Sequence, residues 1–167
     1  MDQSLLLWLN SFAHRFAWLD FLGIMLAVWG IYVLAGWALV LYFDKKFRKR
    51  VYLATVSSII SRLLVVEIIK IVVDRPRPFE TLPVHLLITD TGKGQAFSSG
   101  HAVILFSIAF SFYKTKWFWP MFALATLSSI ARVFVGVHYP SDILASALIA
   151  WVIAWSLGRL FKKQFLR

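Results

Sequence analysis

The chain has 167 residues, 60% of them hydrophobic, with a mean hydropathy of +0.74 and no cysteine. Soluble domains are roughly half apolar, so this composition points to a membrane protein, and the lack of cysteine excludes disulfides, thiolate catalysis and cysteine-ligated metals. A net charge of +10 would suit nucleic acid, but the basic residues fall in short blocks between apolar runs instead of on one surface, which argues against that partner.

Residues 1–17 lack a basic segment ahead of their apolar positions and so do not read as a cleaved leader. Leu5, Leu6, Leu9, Phe12 and Phe16 fall near helical spacing and predict an amphipathic helix at the bilayer interface. Five spans follow from the hydropathy pattern: 21–43, 51–73, 99–113, 117–135 and 139–158. The first carries no charge over 23 residues, enough to cross about 30 Å of hydrocarbon at about 1.5 Å per residue. The expected fold is one membrane-embedded domain over 1–167, an all-α, polytopic transmembrane helical bundle of about five spans plus the amphipathic helix.

Residues 44–50 carry five Lys or Arg, 114–116 two and 159–167 four, together 11 of the 18 in the chain. These blocks lie at alternate span ends, so they share one face, and the positive-inside tendency places that face in the cytoplasm. An odd number of spans then puts the N-terminus outside. The other seven cations are Arg15, Arg62, Lys70, Arg75, Arg77, Lys93 and Arg132. Counting the rise from the nearest cytoplasmic cation lifts Lys70 by about 30 Å, His101 by about 20 Å, Arg132 by about 24 Å and Asp142 by about 26 Å. An Arg or Asp costs on the order of 3 kcal/mol at the bilayer centre. Four ionisable groups levelled near the outer leaflet therefore mark a site facing the bundle interior.

Three blocks hold the chemistry. Lys70 and Arg77-Pro78 lie in KIVVDRPRPF, Ser98-Ser99-Gly100-His101 opens the third span, and Arg132, His138 and Asp142 lie in ARVFVGVHYPSD. Lys70, Arg77 and Arg132 together can neutralise a phosphate, Arg through its planar fork and Lys as a compact charge. Snorkelling to the headgroups is the competing account, strongest for Lys70. Arg75 stands open between a helper and a surface charge. Ser99 is placed to cap a helix whose free N–H groups bind an anion, with Gly100 permitting close approach, although a plain cap is the simpler account. His138 and Asp142 are four apart, which stacks them on a continuous helix, or with Pro140 between them joins them through a turn and cap. Either way the carboxylate holds one imidazole N–H. His138 is then the nucleophile that forms a phosphohistidine, and His101 the acid that protonates the leaving oxygen and later the base on water. Two histidines and one aspartate are a sparse metal set, so neither metal nor cofactor is expected. His14 and His85 read as satisfied interfacial groups.

These blocks resemble the signature of the type-2 phosphatidic acid phosphatase superfamily, K-x6-RP, then PSGH, then SR-x5-H-x3-D, over the motif core 70–142. The resemblance implies an α-helical bundle and a metal-independent phosphohistidine mechanism. It carries the nucleophile onto His138, the acid/base onto His101, the orienting carboxylate onto Asp142 and phosphate binding onto Lys70, Arg77, Ser99, Gly100 and Arg132. Ser98 replaces the usual Pro and Ala131 the frequent Ser. Arg62 and Glu67 lie outside the signature and fit a buried ion pair, a substrate contact or a proton path.

Within the superfamily, RPRPF and RVFVGVHYPSDILA are similar to bacterial undecaprenyl-diphosphate phosphatases. That implies a plasma-membrane enzyme acting on a polyprenyl diphosphate from the extracytoplasmic side. Phosphatidylglycerophosphate, phosphatidate or a lipid A phosphate are the other substrates to weigh. A lipid phosphotransferase and a small transporter or scaffold are the remaining function classes.

Overall fold

The structure, a computed structural model, describes residues 1–89 and 95–165, the last five as helix backbone. Lys93 and Arg167 lie outside the described residues. Among those described there is no strand. The order is α1 (Asp2–Asn10), α2 (Ala17–Tyr42), α3 (Arg48–Ile60), a π turn (Ser61–Val65) running into α4 (Val66–Val72), then α5 (Pro78–Thr81), α6 (Gly100–Ser111), α7 (Phe118–Phe134) and α8 (Pro140–Phe165).

Five antiparallel rods coincide with the five apolar runs. By length and composition, α2 and the Pro140–Leu160 part of α8 suffice to cross a membrane; α6 and α7 are apolar but shorter. The rod of α3 and α4 is interrupted by its π turn, which the hydropathy pattern does not register. The interior lies between α6 and its neighbours α3, α7 and α8, with Val103, Leu105, Ala109, Phe112, Met121 and Ala150 fully buried or nearly so. Phe106, Phe110, Phe118 and Phe122 pair across α6 and α7 with ring centroids 5.5 to 6.3 Å apart. On the outside, Trp18, Phe21, Trp29 and Val40 of α2 stay more than half exposed. An apolar surface of that kind suits lipid, since a soluble protein rarely leaves such a patch open.

Small residues let the rods approach closely. On α2, Gly23, Ala27, Gly30, Leu34, Ala38 and Leu41 are buried along one face. A Cβ at Gly30 would lie 2.8 Å from Ser128 Cβ of α7, and one at Gly23 would lie 2.5 Å from Phe134 Cδ1. Without a hydrophobic drive between helices in lipid, such contact and buried hydroxyl pairs hold the bundle. Ser57 meets Ser111 at 3.2 Å and Ser107 meets Ser61 at 3.4 Å, joining the α3 rod to α6.

The connections divide the bundle into two ends. The basic loops between α2 and α3 and between α6 and α7 lie at one. At the other meet the N-termini of α6 and α8 and the C-termini of α4 and α7. The amphipathic start is shorter than its spacing suggests, because the helix ends at Asn10 and turns follow. Helix α1 lies across the second end with Leu6 buried and Leu5 and Trp8 outward. Asn10 anchors it: its side-chain amide donates to the carbonyls of His85 and Phe134 at 2.9 and 2.8 Å, and its oxygen accepts from His85 N–H at 2.7 Å.

Candidate active site

Helix α7 delivers Arg132 and then stops in a way its sequence dictates. Gly136 takes φ +85°, a left-handed conformation that glycine adopts without steric cost. Its N–H bonds to Val133 O at 3.0 Å, and Val137 N–H bonds to Arg132 O at 3.2 Å, the paired bonds of a Schellman ending. The chain reverses there, and His138 follows at once.

Pro140 then opens α8, its fixed φ suited to a first helical position. Asp142 accepts from the Tyr139 N–H at 2.8 Å through Oδ2, as the third residue of a capping box does. Of the two geometries open to His138 and Asp142, the turn and cap is therefore the one adopted. Residues 77–80 repeat the pattern around Pro78, with Glu80 accepting from Arg77 N–H at 2.9 Å.

His138 is 3% exposed and Asp142 fully buried. Nδ1 of His138 lies 3.0 Å from the Ala96 carbonyl oxygen and 3.5 Å from Asp142 Oδ2. Both are acceptors, so Nδ1 carries the proton and Nε2 keeps its lone pair. The nearer holder of the N–H is a backbone carbonyl that spacing could not reveal. Burial pushes the His138 pKa below its ordinary value; the bond to Asp142 opposes this, and the charges of Arg132 and Arg77 reinforce it. The lowered pKa favours the neutral ring, the form in which Nε2 has a lone pair to offer.

Ser99 caps α6, accepting from Ala102 N–H at 3.3 Å. Ser146 of α8 donates to the Ser99 carbonyl at 3.1 Å, tying this cap to the helix that holds Asp142. His101, half-buried, is the second residue of α6 and so stands at the same end. Arg132 is 6% exposed, with Nη1 3.5 Å from the Ala27 carbonyl of α2. Arg77 precedes α5, half-buried. Lys70 sits in the last turn of α4, its side chain 19% exposed and its Nζ 4.0 Å from Glu67 Oε1, a burial that speaks against snorkelling.

Glu67 also pairs with Arg62. Residues five apart do not face each other on a straight α-helix; the π turn between them brings the two together. The pair is half-exposed, at 33% and 49%, so it is not the buried ion pair the sequence allowed. The Arg62 side chain lies over Gly100, where a Cβ would come 2.6 Å from Nε and the arginine would have to shift.

Arg75 proves to be neither a surface charge nor idle. Nη1 donates to Asp142 Oδ1 at 2.8 Å and to Ser141 Oγ at 2.7 Å, and Nη2 donates to Asp2 Oδ2 at 2.6 Å. Its guanidinium lies 3.7 Å from the Tyr139 ring centroid. Its carbonyl accepts from Ala96 N–H at 2.7 Å, so it also places the oxygen that holds His138. Asp2 and Ser141 gave no signal in the sequence. Asp2 takes Ser141 N–H at 3.0 Å and Ser141 Oγ at 2.6 Å. Burial works to raise its pKa, but hydrogen bonds from Arg75 and Ser141 outweigh that and hold it below the usual carboxylate value.

A buried imidazole with a carbonyl and a carboxylate at Nδ1, its Nε2 left with a lone pair and arginines close enough to act on it, is an arrangement with the chemistry to attack an anionic group. The PAP2 superfamily model matches residues 51–166. Undecaprenyl-diphosphatase BcrC of Bacillus subtilis is 30% identical over 163 residues, 95% of this chain and 83% of that protein. Among solved structures, LpxE of Aquifex aeolicus superposes with a TM-score of 0.77 at 25% identity, covering 92% of each chain. A PAP2-type phosphatidylglycerolphosphate phosphatase from Bacillus subtilis gives 0.68 at 20% identity over 98% of this chain and 87% of the other.

Proposed function

The chain belongs to the PAP2 superfamily, and on that footing we propose that it is an integral-membrane phosphatase releasing phosphate from a polyprenyl diphosphate, undecaprenyl diphosphate foremost. The observation that carries this reading is His138, buried and neutral, with Nδ1 between the Ala96 carbonyl and Asp142. Its Nε2 attacks the terminal phosphorus. The bond to the bridging oxygen breaks, and His101 gives that oxygen a proton, releasing the lipid monophosphate. Asp142 stabilises the positive charge the ring acquires. His101 then takes a proton from water, the hydroxide attacks phosphorus, and the N–P bond breaks to give inorganic phosphate and restore His138.

Lys70, Arg77, Arg132 and the N–H groups behind Ser99 and Gly100 bind the phosphate oxygens and offset charge in the transition state. The proposed steps call on no metal, two histidines and one aspartate being a sparse ligand set. Among the described residues no group of three or more His, Cys, Asp or Glu could hold an ion. This reading takes the five apolar rods as crossings, and the cationic loops at the opposite end support a site in the outer leaflet of the plasma membrane.

The similarity to an undecaprenyl-diphosphatase across 95% of the chain favours the diphosphate. The test is release of inorganic phosphate by the purified protein from a panel: a polyprenyl diphosphate, its monophosphate, phosphatidate and phosphatidylglycerophosphate. The diphosphate should lead, chelator should leave the rate intact, and His138→Ala should abolish release while the protein still elutes as a folded species. Undiminished hydrolysis by His138→Ala would overturn the mechanism. Product analysis with added acceptor alcohol separates hydrolysis from phosphoryl transfer.

A further inference from the structure

We propose that Asp2 and Arg75 are positioning residues for this reaction, a relay from the N-terminal helix that holds Asp142 against His138. The proposal rests on the reading of His138 as nucleophile.

Asp142 divides its two oxygens. Oδ2 takes the Tyr139 N–H and faces His138 Nδ1, while Oδ1 takes Arg75 Nη1. With no exposure to solvent, this carboxylate depends on partners to stay charged and in place. Arg75 is fixed from three sides: by Asp142, by the Tyr139 ring at 3.7 Å and by Asp2 at 2.6 Å. A single guanidinium between two carboxylates uses the planar fork that lysine lacks. Asp2 does more than neutralise it, because both its oxygens also engage Ser141, the residue before Asp142. Helix α1, anchored by Asn10 at its other end, thereby reaches the first turn of α8. Tyr139 is tied in addition to Thr81 of α5, hydroxyl to hydroxyl at 3.2 Å.

The relay changes the charge felt by His138. The charged groups acting directly on that ring are Asp142 from α8, Arg132 from α7 and Arg77 at the start of α5; His101 shares this end on α6. Arg75 and Asp2 act behind Asp142 with opposite signs. Removing the cation should favour the imidazolium, and removing the anion should disfavour it.

The experiment is steady-state phosphate release by the full-length protein in detergent, with a short-chain polyprenyl diphosphate as substrate, across pH. Asp2→Asn, Arg75→Gln, Arg75→Lys, the double variant and His138→Ala are compared. Arg75→Gln and Asp2→Asn should each lower kcat with KM little changed, by about 10 to 100-fold for the arginine, by analogy with the range for outer-shell partners of metal-bound histidines. The acidic limb of kcat/KM should move to higher pH in Arg75→Gln and to lower pH in Asp2→Asn. Adding Asp2→Asn to Arg75→Gln should cost little more than Arg75→Gln alone. Arg75→Lys, which keeps the charge and loses the fork, should fall between wild type and Arg75→Gln, and it takes over the test if the glutamine variant does not fold.

A wild-type rate and pH profile in Asp2→Asn would overturn the relay, as would parallel losses with no movement of the limb. A rise in KM with kcat kept would make Arg75 a substrate contact and overturn it too. Activity in His138→Ala would instead sink the underlying reading. Inactive His138→Ala beside an unaffected Asp2→Asn sinks the relay alone.

Discussion

Ala96 has no side-chain function, yet its carbonyl selects which nitrogen of His138 is protonated. Nε2 is therefore the nitrogen left for the proposed chemistry, and its pH response follows from the ring's surroundings. Burial, with Arg132 and Arg77, outweighs the bond from Asp142 and depresses the His138 pKa. Protonation removes the lone pair, so activity is lost as pH falls through that depressed value. The acidic limb of the kcat/KM profile should therefore lie below the ordinary imidazole value of about 6.5. An acidic limb near pH 7.5 would contradict this placement. The motif spacings bring His138, Asp142, Arg132, Ser99 and Arg77 to light because their types and intervals are chemically restrictive. Asp2 is invisible by that route, since its partners Arg75 and Ser141 lie 73 and 139 positions away and a lone acid near a terminus has no diagnostic interval.

At the scale of the element, Gly136 decides where His138 stands. Any L-residue in its left-handed conformation costs about 1 to 2 kcal/mol, and a Cβ would also sit 3.3 Å from the His85 carbonyl. Gly136→Ala is expected to lower stability by about that amount in chemical unfolding and to reduce the rate as the reversal loosens. Unchanged unfolding would refute the role given to the turn. The rods were readable as apolar runs: 117–135 appears as Phe118–Phe134 and 99–113 as Gly100–Ser111. The π turn at Ser61–Val65 was not, because one extra residue in a turn leaves an apolar helix equally apolar. The backbone bond from Val66 N–H to Ser61 O exposes it, and the pairing of Arg62 with Glu67 follows.

For the whole molecule, the basic loops and the proposed catalytic groups lie at opposite ends of the rods, which is what makes the membrane orientation testable. The chain has no cysteine, so single cysteines report without background. Leu86 is exposed beside α1 and the end of α7, and Lys46 lies exposed in the basic loop between α2 and α3. A membrane-impermeant thiol reagent on intact cells should label Leu86→Cys and spare Lys46→Cys, with both labelled after permeabilisation. The opposite pattern would put the site in the cytoplasm.

What the chain determines by itself is local and periodic: apolar runs that become helical rods, cations at alternate ends, and residue types at intervals that suit phosphoryl transfer. Those follow from helical rise, desolvation cost and side-chain chemistry, all written in neighbouring positions. Only the tertiary structure decided that the Ala96 carbonyl holds His138, that Arg62 fills the space Gly100 leaves, and that Asp2 joins Arg75 behind Asp142. Each of these depends on which rod ends meet, and that is set by close packing between rods, which no single segment encodes.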